Sequence, residues 1–176
     1  MHLPRLVSGL ARWLAMLGGF VLVALAILTC LSIVDRAVYA IDIGLAKIVY
    51  ELIEAGVGFA VFAFLPWCQL NRGHATVDLF TNILSAGANR VIDLLSEILM
   101  LVCIGLIAWR LWVGTLDKYG YGETTFILEM PLWWAYAACM AAAAVAVVVA
   151  VFMVLVRFRE VMLGRPLLAP SQGAQH

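Results

Sequence analysis

The chain has 176 residues, 65% of them hydrophobic and only 12% charged, and its 11 basic and 11 acidic residues cancel to zero net charge. The charged share is about half that of a soluble domain, and a soluble fold of this size cannot bury so much apolar surface. A soluble globular domain is therefore excluded, as is a basic surface of the kind that holds nucleic acid, and an integral membrane protein is indicated.

In chain order, residues 1–12 form an N-terminal interfacial segment, in which Leu3, Leu6, Val7 and Leu10 alternate at helical spacing with Arg5, Ser8 and Arg12. A membrane domain follows over residues 13–156. Spans need about 20 mostly apolar residues, and four segments meet that need: 13–34, 49–70, 91–113 and 131–156. The first is free of charge and too long for a secretory h-region, with no Ala-x-Ala site after it. Thr29 stands ahead of Cys30 where a lipoprotein box needs a smaller residue. Residues 36–48 suggest a second interfacial piece. Between spans two and three, Val77, Phe80, Ile83 and Leu84 recur at helical spacing among Asp78, Thr81, Asn82 and Ser85, which predicts a short helix lying in the interface. The fourth span opens at Pro131, a residue suited to a first helical turn. Trp133, Trp134 and Tyr136 follow as an aromatic belt, then a thin face of Ala137, Ala138, Ala141, Ala142 and Ala144. Residues 157–176 read as a cytoplasmic tail. The fold class is thus all-α: four transmembrane helices with short amphipathic interfacial helices.

Orientation follows from the basic residues. Arg5, Arg12, Arg72, Arg90, Arg157, Arg159 and Arg165 fall on one side and Arg36, Lys47, Arg110 and Lys118 on the other. That bias places both termini in the cytoplasm.

The inventory of reactive groups argues against an enzyme. None of His2, His74 and His176 lies in a span, so axial haem ligation between helices is excluded. No nucleophile elbow, phosphate loop or His-Glu-x-x-His motif occurs. Cys30, Cys68, Cys103 and Cys139 are far apart, each in an apolar run, and read as small buried hydrophobes rather than metal ligands. The sequence implies no cofactor and no metal. His74 with Asp78 reads either as an acid–base pair or as a capping pair where a span turns into an interfacial helix; the lack of a nearby third ligand favours capping.

The charges inside the spans carry more information, because such residues are costly and mark partners or ion paths. Arg90, Asp93 and Glu97 share one helical face. They read as a salt-bridged ladder with snorkelling heads or as a contact face for another membrane subunit. Glu51 and Glu54 near the start of span two share a depth with Arg110 near the end of span three. An ion pair of Arg110 with Glu54 or Glu51 is expected, with Arg36 as competitor.

Two motifs bring a family into view. Arg72-x-His74-x-x-Val77-Asp78 follows a span and opens an interfacial helix, and GETTFILEMPLWWAY precedes the last span with Pro131, Trp133, Trp134 and Tyr136 in place. In order and spacing the chain resembles the small membrane subunit of TRAP (tripartite ATP-independent periplasmic) transporters, the DctQ-like family, over roughly residues 10–156. Position 75 is Ala where the family usually has a branched aliphatic residue. The resemblance implies a permease subunit of the bacterial inner membrane without chemistry of its own. It would scaffold a large elevator-type membrane subunit, in a heterodimer, during sodium-coupled uptake of a small organic acid anion delivered by a periplasmic substrate-binding protein. Membrane lipids would be its other partner. The competing reading is an autonomous small transporter or channel using Glu51 and Glu54, against which stands their shallow depth.

Overall fold

The computed structural model describes residues 3–39, 45–71 and 86–163. The described residues form four helices: α1 (Leu3–Tyr39), α2 (Leu45–Leu70), α3 (Ala86–Tyr121) and α4 (Trp133–Leu163). Each contains a stretch long and apolar enough to cross a membrane: Leu6–Asp35, Lys47–Leu70, Val91–Tyr121 and Trp133–Leu163. Spans of 30 and 31 residues are roughly 45 Å long at 1.5 Å per residue. They exceed a hydrocarbon core of about 30 Å, so tilt or headgroup-level ends must absorb the excess.

The helices run up and down. α1 packs on α2, α2 on α4, and α4 on α3, so α2 and α4 are central and α1 and α3 lie outside. Small residues set the close approaches. A Cβ on Gly18 of α1 would lie 2.9 Å from the Ala63 Cβ of α2, and one on Gly56 would lie 2.7 Å from Leu25. On α4, Ala142, Ala143, Ala146 and Ala150 are buried, whereas Ala138, Ala141 and Ala144 face outward. The alanine face of the sequence is therefore split between an inner seam and an outer stripe. Ala146 and Ala150 meet Ile104 of α3, and Val149 and Met153 meet Ala11 of α1.

Polar groups within the apolar helices are largely consumed locally. The hydroxyls of Thr29, Ser96 and Thr115 donate to carbonyls of their own helices, as membrane helices require. Pro66 inside α2 is fully buried. It lacks the N–H for one helical bond, yet the helix continues to Leu70.

Several expected boundaries shift. The N-terminal interfacial segment and the first span are one continuous helix, because no Gly-Pro or capping signal interrupts residues 3–39. Span three extends to Tyr121, past Asp117 and Lys118, and α4 extends past Val156 to Leu163. Pro131 lies just ahead of the first turn of α4 rather than in it. Of the cysteines only Cys139 is buried; Cys30 and Cys103 are exposed on the outer helices, and all four are free thiols. Residues 40–44 of the expected piece at 36–48 lie outside the described residues, and so does the expected interfacial helix at 77–85. The remainder of 36–48 forms the ends of α1 and α2.

Candidate functional site

Two polar constructions stand out, one at each end of the bundle. At the end where α1 begins and α4 finishes, three helices contribute polar side chains, two of them charged ones. Asp93 and Glu97 stand one turn apart on α3, and Arg157 and Glu160 three residues apart on α4. Gln69 comes from the last turn of α2. Arg157 Nη1 donates to Glu160 Oε2 at 2.7 Å and to Asp93 Oδ2 at 3.3 Å, and Gln69 Nε2 donates to Glu97 Oε2 at 2.8 Å. Gln69, Arg157 and Glu160 are 1%, 6% and 3% exposed. Ion pairs this dry hold only when each charge finds a partner. Burial of three polar side chains where three helices converge locks α2, α3 and α4 in register. Arg157 Nε and Gln69 Oε1, a donor and an acceptor, are buried without a partner among the described residues.

The other end is closed by the connection between α3 and α4, residues 122–132. Its backbone folds on itself: Thr125 N donates to Met130 O and Leu132 N to Glu123 O, each at 2.9 Å, and Thr124 pairs with Pro131. Met130 N donates to the Thr125 hydroxyl at 3.2 Å. Two residues adopt positive φ, Gly122 at 63° and Glu129 at 50°, and they let the chain reverse. The reversal leaves the N–H groups of Ile127 and Leu128 pointing at α2, where Glu51 accepts both, at 3.0 and 3.2 Å. Lys118 pairs with Glu123 across the base of the loop. Trp133 packs edge-on against Tyr119 and Trp134, with ring centroids 5.5 and 6.1 Å away. Tyr136 covers Gly114 of α3.

The geometry thus joins helices to each other and ties a loop to α2. A family model described as "Tripartite ATP-independent periplasmic transporters, DctQ component" matches residues 25–160. The chain belongs to the DctQ family. Comparison with curated proteins and with solved structures gave no match. The family is a transporter component, not an enzyme family, and its members work with other TRAP subunits.

Within this DctQ chain the residues singled out in the sequence fall as follows. Asp93 and Glu97 are brought together with Arg157 and Gln69. Trp133, Trp134 and Tyr136 open α4, and Pro131 belongs to the closing loop. Glu51 is occupied by loop amides. Among the described residues no ion pair joins Arg110 to Glu51 or Glu54: Arg110 and Glu54 are both exposed. Glu51 serves instead as acceptor for two backbone N–H groups, which must be satisfied. Arg36 and Arg90 lie in α1 and α3, with side chains outside the described residues. Arg72, His74, Val77 and Asp78 lie outside them altogether.

Sequence reasoning missed Gln69 and Glu160 and assigned Arg157 to the cytoplasmic tail. The signal was present: Arg157 and Glu160 are spaced i, i+3 at the end of the most apolar helix, the spacing of a helical ion pair.

Proposed function

We propose that this DctQ chain is the small permease subunit of a TRAP transporter, bracing the large elevator-type membrane subunit during sodium-coupled, binding-protein-dependent uptake of a small organic acid anion. It resides in the bacterial inner membrane with both termini in the cytoplasm and forms a heterodimer with the large subunit. The solute and the sodium ions are handled by that subunit, and the periplasmic binding protein selects the solute.

The observation that carries this reading is the use made of Glu51. An autonomous carrier built on Glu51 and Glu54 needs carboxylates free to take and release an ion. Glu51 instead accepts two backbone hydrogen bonds from the α3–α4 loop. At the other end Asp93, Glu97 and Glu160 are bonded to side chains of this chain. Polar groups committed in this way suit a rigid brace, against which an elevator moves.

The test is co-expression with the adjacent large subunit. A tagged DctQ chain brings it down at a ratio of about one to one, and liposomes holding the DctQ chain alone show no sodium-driven uptake. Robust uptake by the chain alone refutes the assignment.

A further inference from the structure

We propose that the polar cluster shared by α2, α3 and α4 is an internal hydration site, in which one water molecule accepts from Arg157 Nε and donates to Gln69 Oε1.

A matched pair of polar atoms carries the inference. Arg157 Nε is a donor and Gln69 Oε1 an acceptor, and each is buried without a partner among the described residues. Their side chains are 6% and 1% exposed. A buried group left unpaired forfeits its hydration without return, so such groups are paired by protein or by water. The two side chains are also neighbours. Arg157 is bonded to Asp93 and Gln69 to Glu97, and these carboxylates stand one turn apart on α3, a spacing of about 5–6 Å between Cβ atoms.

Neither atom is satisfied by turning its side chain over. Flipping the Gln69 amide would set Oε1 against Glu97, which accepts from Nε2 at 2.8 Å and, when ionised, has no proton to give. Rotating the guanidinium would draw Nη1 away from Glu160 and Asp93, at 2.7 and 3.3 Å. Because the guanidinium is planar, holding Nη1 restricts the direction of the Nε–H. The surrounding carboxylates cannot serve both atoms, since Asp93, Glu97 and Glu160 accept only when ionised. A cation at Gln69 Oε1 would be repelled by the neighbouring guanidinium. The group required is small and neutral, with both a donor and an acceptor, and water meets that description. Bound there, it closes a polar ring: α2 to α3 through Gln69 and Glu97, α3 to α4 through Asp93 and Arg157, and α4 back to α2 through the water.

Two measurements test the site. The first is a crystal or cryo-EM structure of the full chain at a resolution that shows ordered water. A density peak is expected within about 3.2 Å of both Arg157 Nε and Gln69 Oε1. A direct bond between the two atoms overturns the proposal, as do ordered side chains with no peak between them, or a peak about 2.3–2.6 Å from Oε1, the distance of a bound cation. The second is a thermal-unfolding cycle of the purified chain. Gln69→Met removes the acceptor at similar length, and Arg157→Lys keeps a cation for Glu160 and Asp93 but has no Nε. Either change alone strands one side of the water, whereas both together strand neither. The double variant is expected to lose at least about 2 °C less than the sum of the single losses, because groups sharing one partner are not additive. A control cycle pairs Arg157→Lys with Glu97→Leu, which breaks the Gln69–Glu97 bond but keeps Oε1, and its losses add. Additive losses in the first cycle, or an equal shortfall in both, overturn the proposal. Where a variant does not fold, the density decides.

Discussion

Arg157 is the residue on which the end of the bundle opposite the 122–132 loop depends. Its guanidinium lies 2.7 Å from Glu160 and 3.3 Å from Asp93, and Glu160 is 3% exposed. Replacing it with Met keeps the volume and removes the cation, leaving a buried carboxylate poorly compensated. Such a loss costs about 3–5 kcal/mol. Arg157→Met is expected to lower the melting temperature of the purified chain sharply, whereas Asp93→Asn, at a partly exposed site, lowers it little. Equal melting of the two variants would refute the ranking. Two of this cluster's five residues were legible in the sequence: Asp93 and Glu97 share a helical face by spacing alone. Arg157 was not, because the apolar run stops at Val156 while the helix runs on to Leu163; hydropathy marks where lipid contact ends, and hydrogen bonding decides where the helix does. Glu51 was legible as a costly charge but not in its partner, since backbone amides carry no sequence signature. Glu51→Ala leaves the Ile127 and Leu128 N–H groups without their acceptor, and limited proteolysis is expected to cut the 122–132 loop several-fold faster than in wild type. Unchanged cleavage would show that the loop's internal bonds suffice.

At the level of elements, α1 and α2 approach closely only because certain positions lack side chains. Gly18 and Gly56 sit at that seam, whereas Gly19 has open space around its Cα. A Cβ at Gly18 meets the Ala63 Cβ at 2.9 Å, short of van der Waals contact, and Ala63 is itself immobile at the seam. Gly18→Val is expected to push the helices apart at a cost of about 1–3 kcal/mol, the range for overpacking. Gly19→Ala is neutral or mildly stabilising, because it relieves the entropy cost of glycine in a helix. Thermal unfolding of both variants checks the contrast. Helix existence was plain from the apolar runs, and the seam was not: Gly18 and Gly19 are indistinguishable by composition, and only the rotation of α1 against α2 assigns one inward. The closing loop is similar. Gly122 at φ 63° tolerates the left-handed conformation that an alanine resists by about 1–2 kcal/mol, yet in the sequence it is one of two glycines in KYGYGE.

For the whole molecule, the up-and-down bundle places the start of α1, the end of α2, the start of α3 and the end of α4 together, with the 122–132 loop at the opposite end. The sequence supports a side for each end only through its basic residues, seven against four, and this bias acts during insertion. It leaves no contact in the finished fold, so the orientation needs its own measurement. The four native thiols are first replaced, which matters because Cys30 and Cys103 are exposed and would label. Single cysteines then go to Thr124, exposed in the loop, and to Met162, 74% exposed near the end of α4. In intact cells with a permeable outer membrane, a membrane-impermeant maleimide is expected to label position 124 and to reach position 162 only after the inner membrane is opened. The reverse pattern inverts the protein. Labelling of both sites from outside would break the even number of crossings on which the paired ends of the bundle depend, because Asp93, Arg157 and Glu160 meet only if α3 and α4 run in opposite directions through the same membrane.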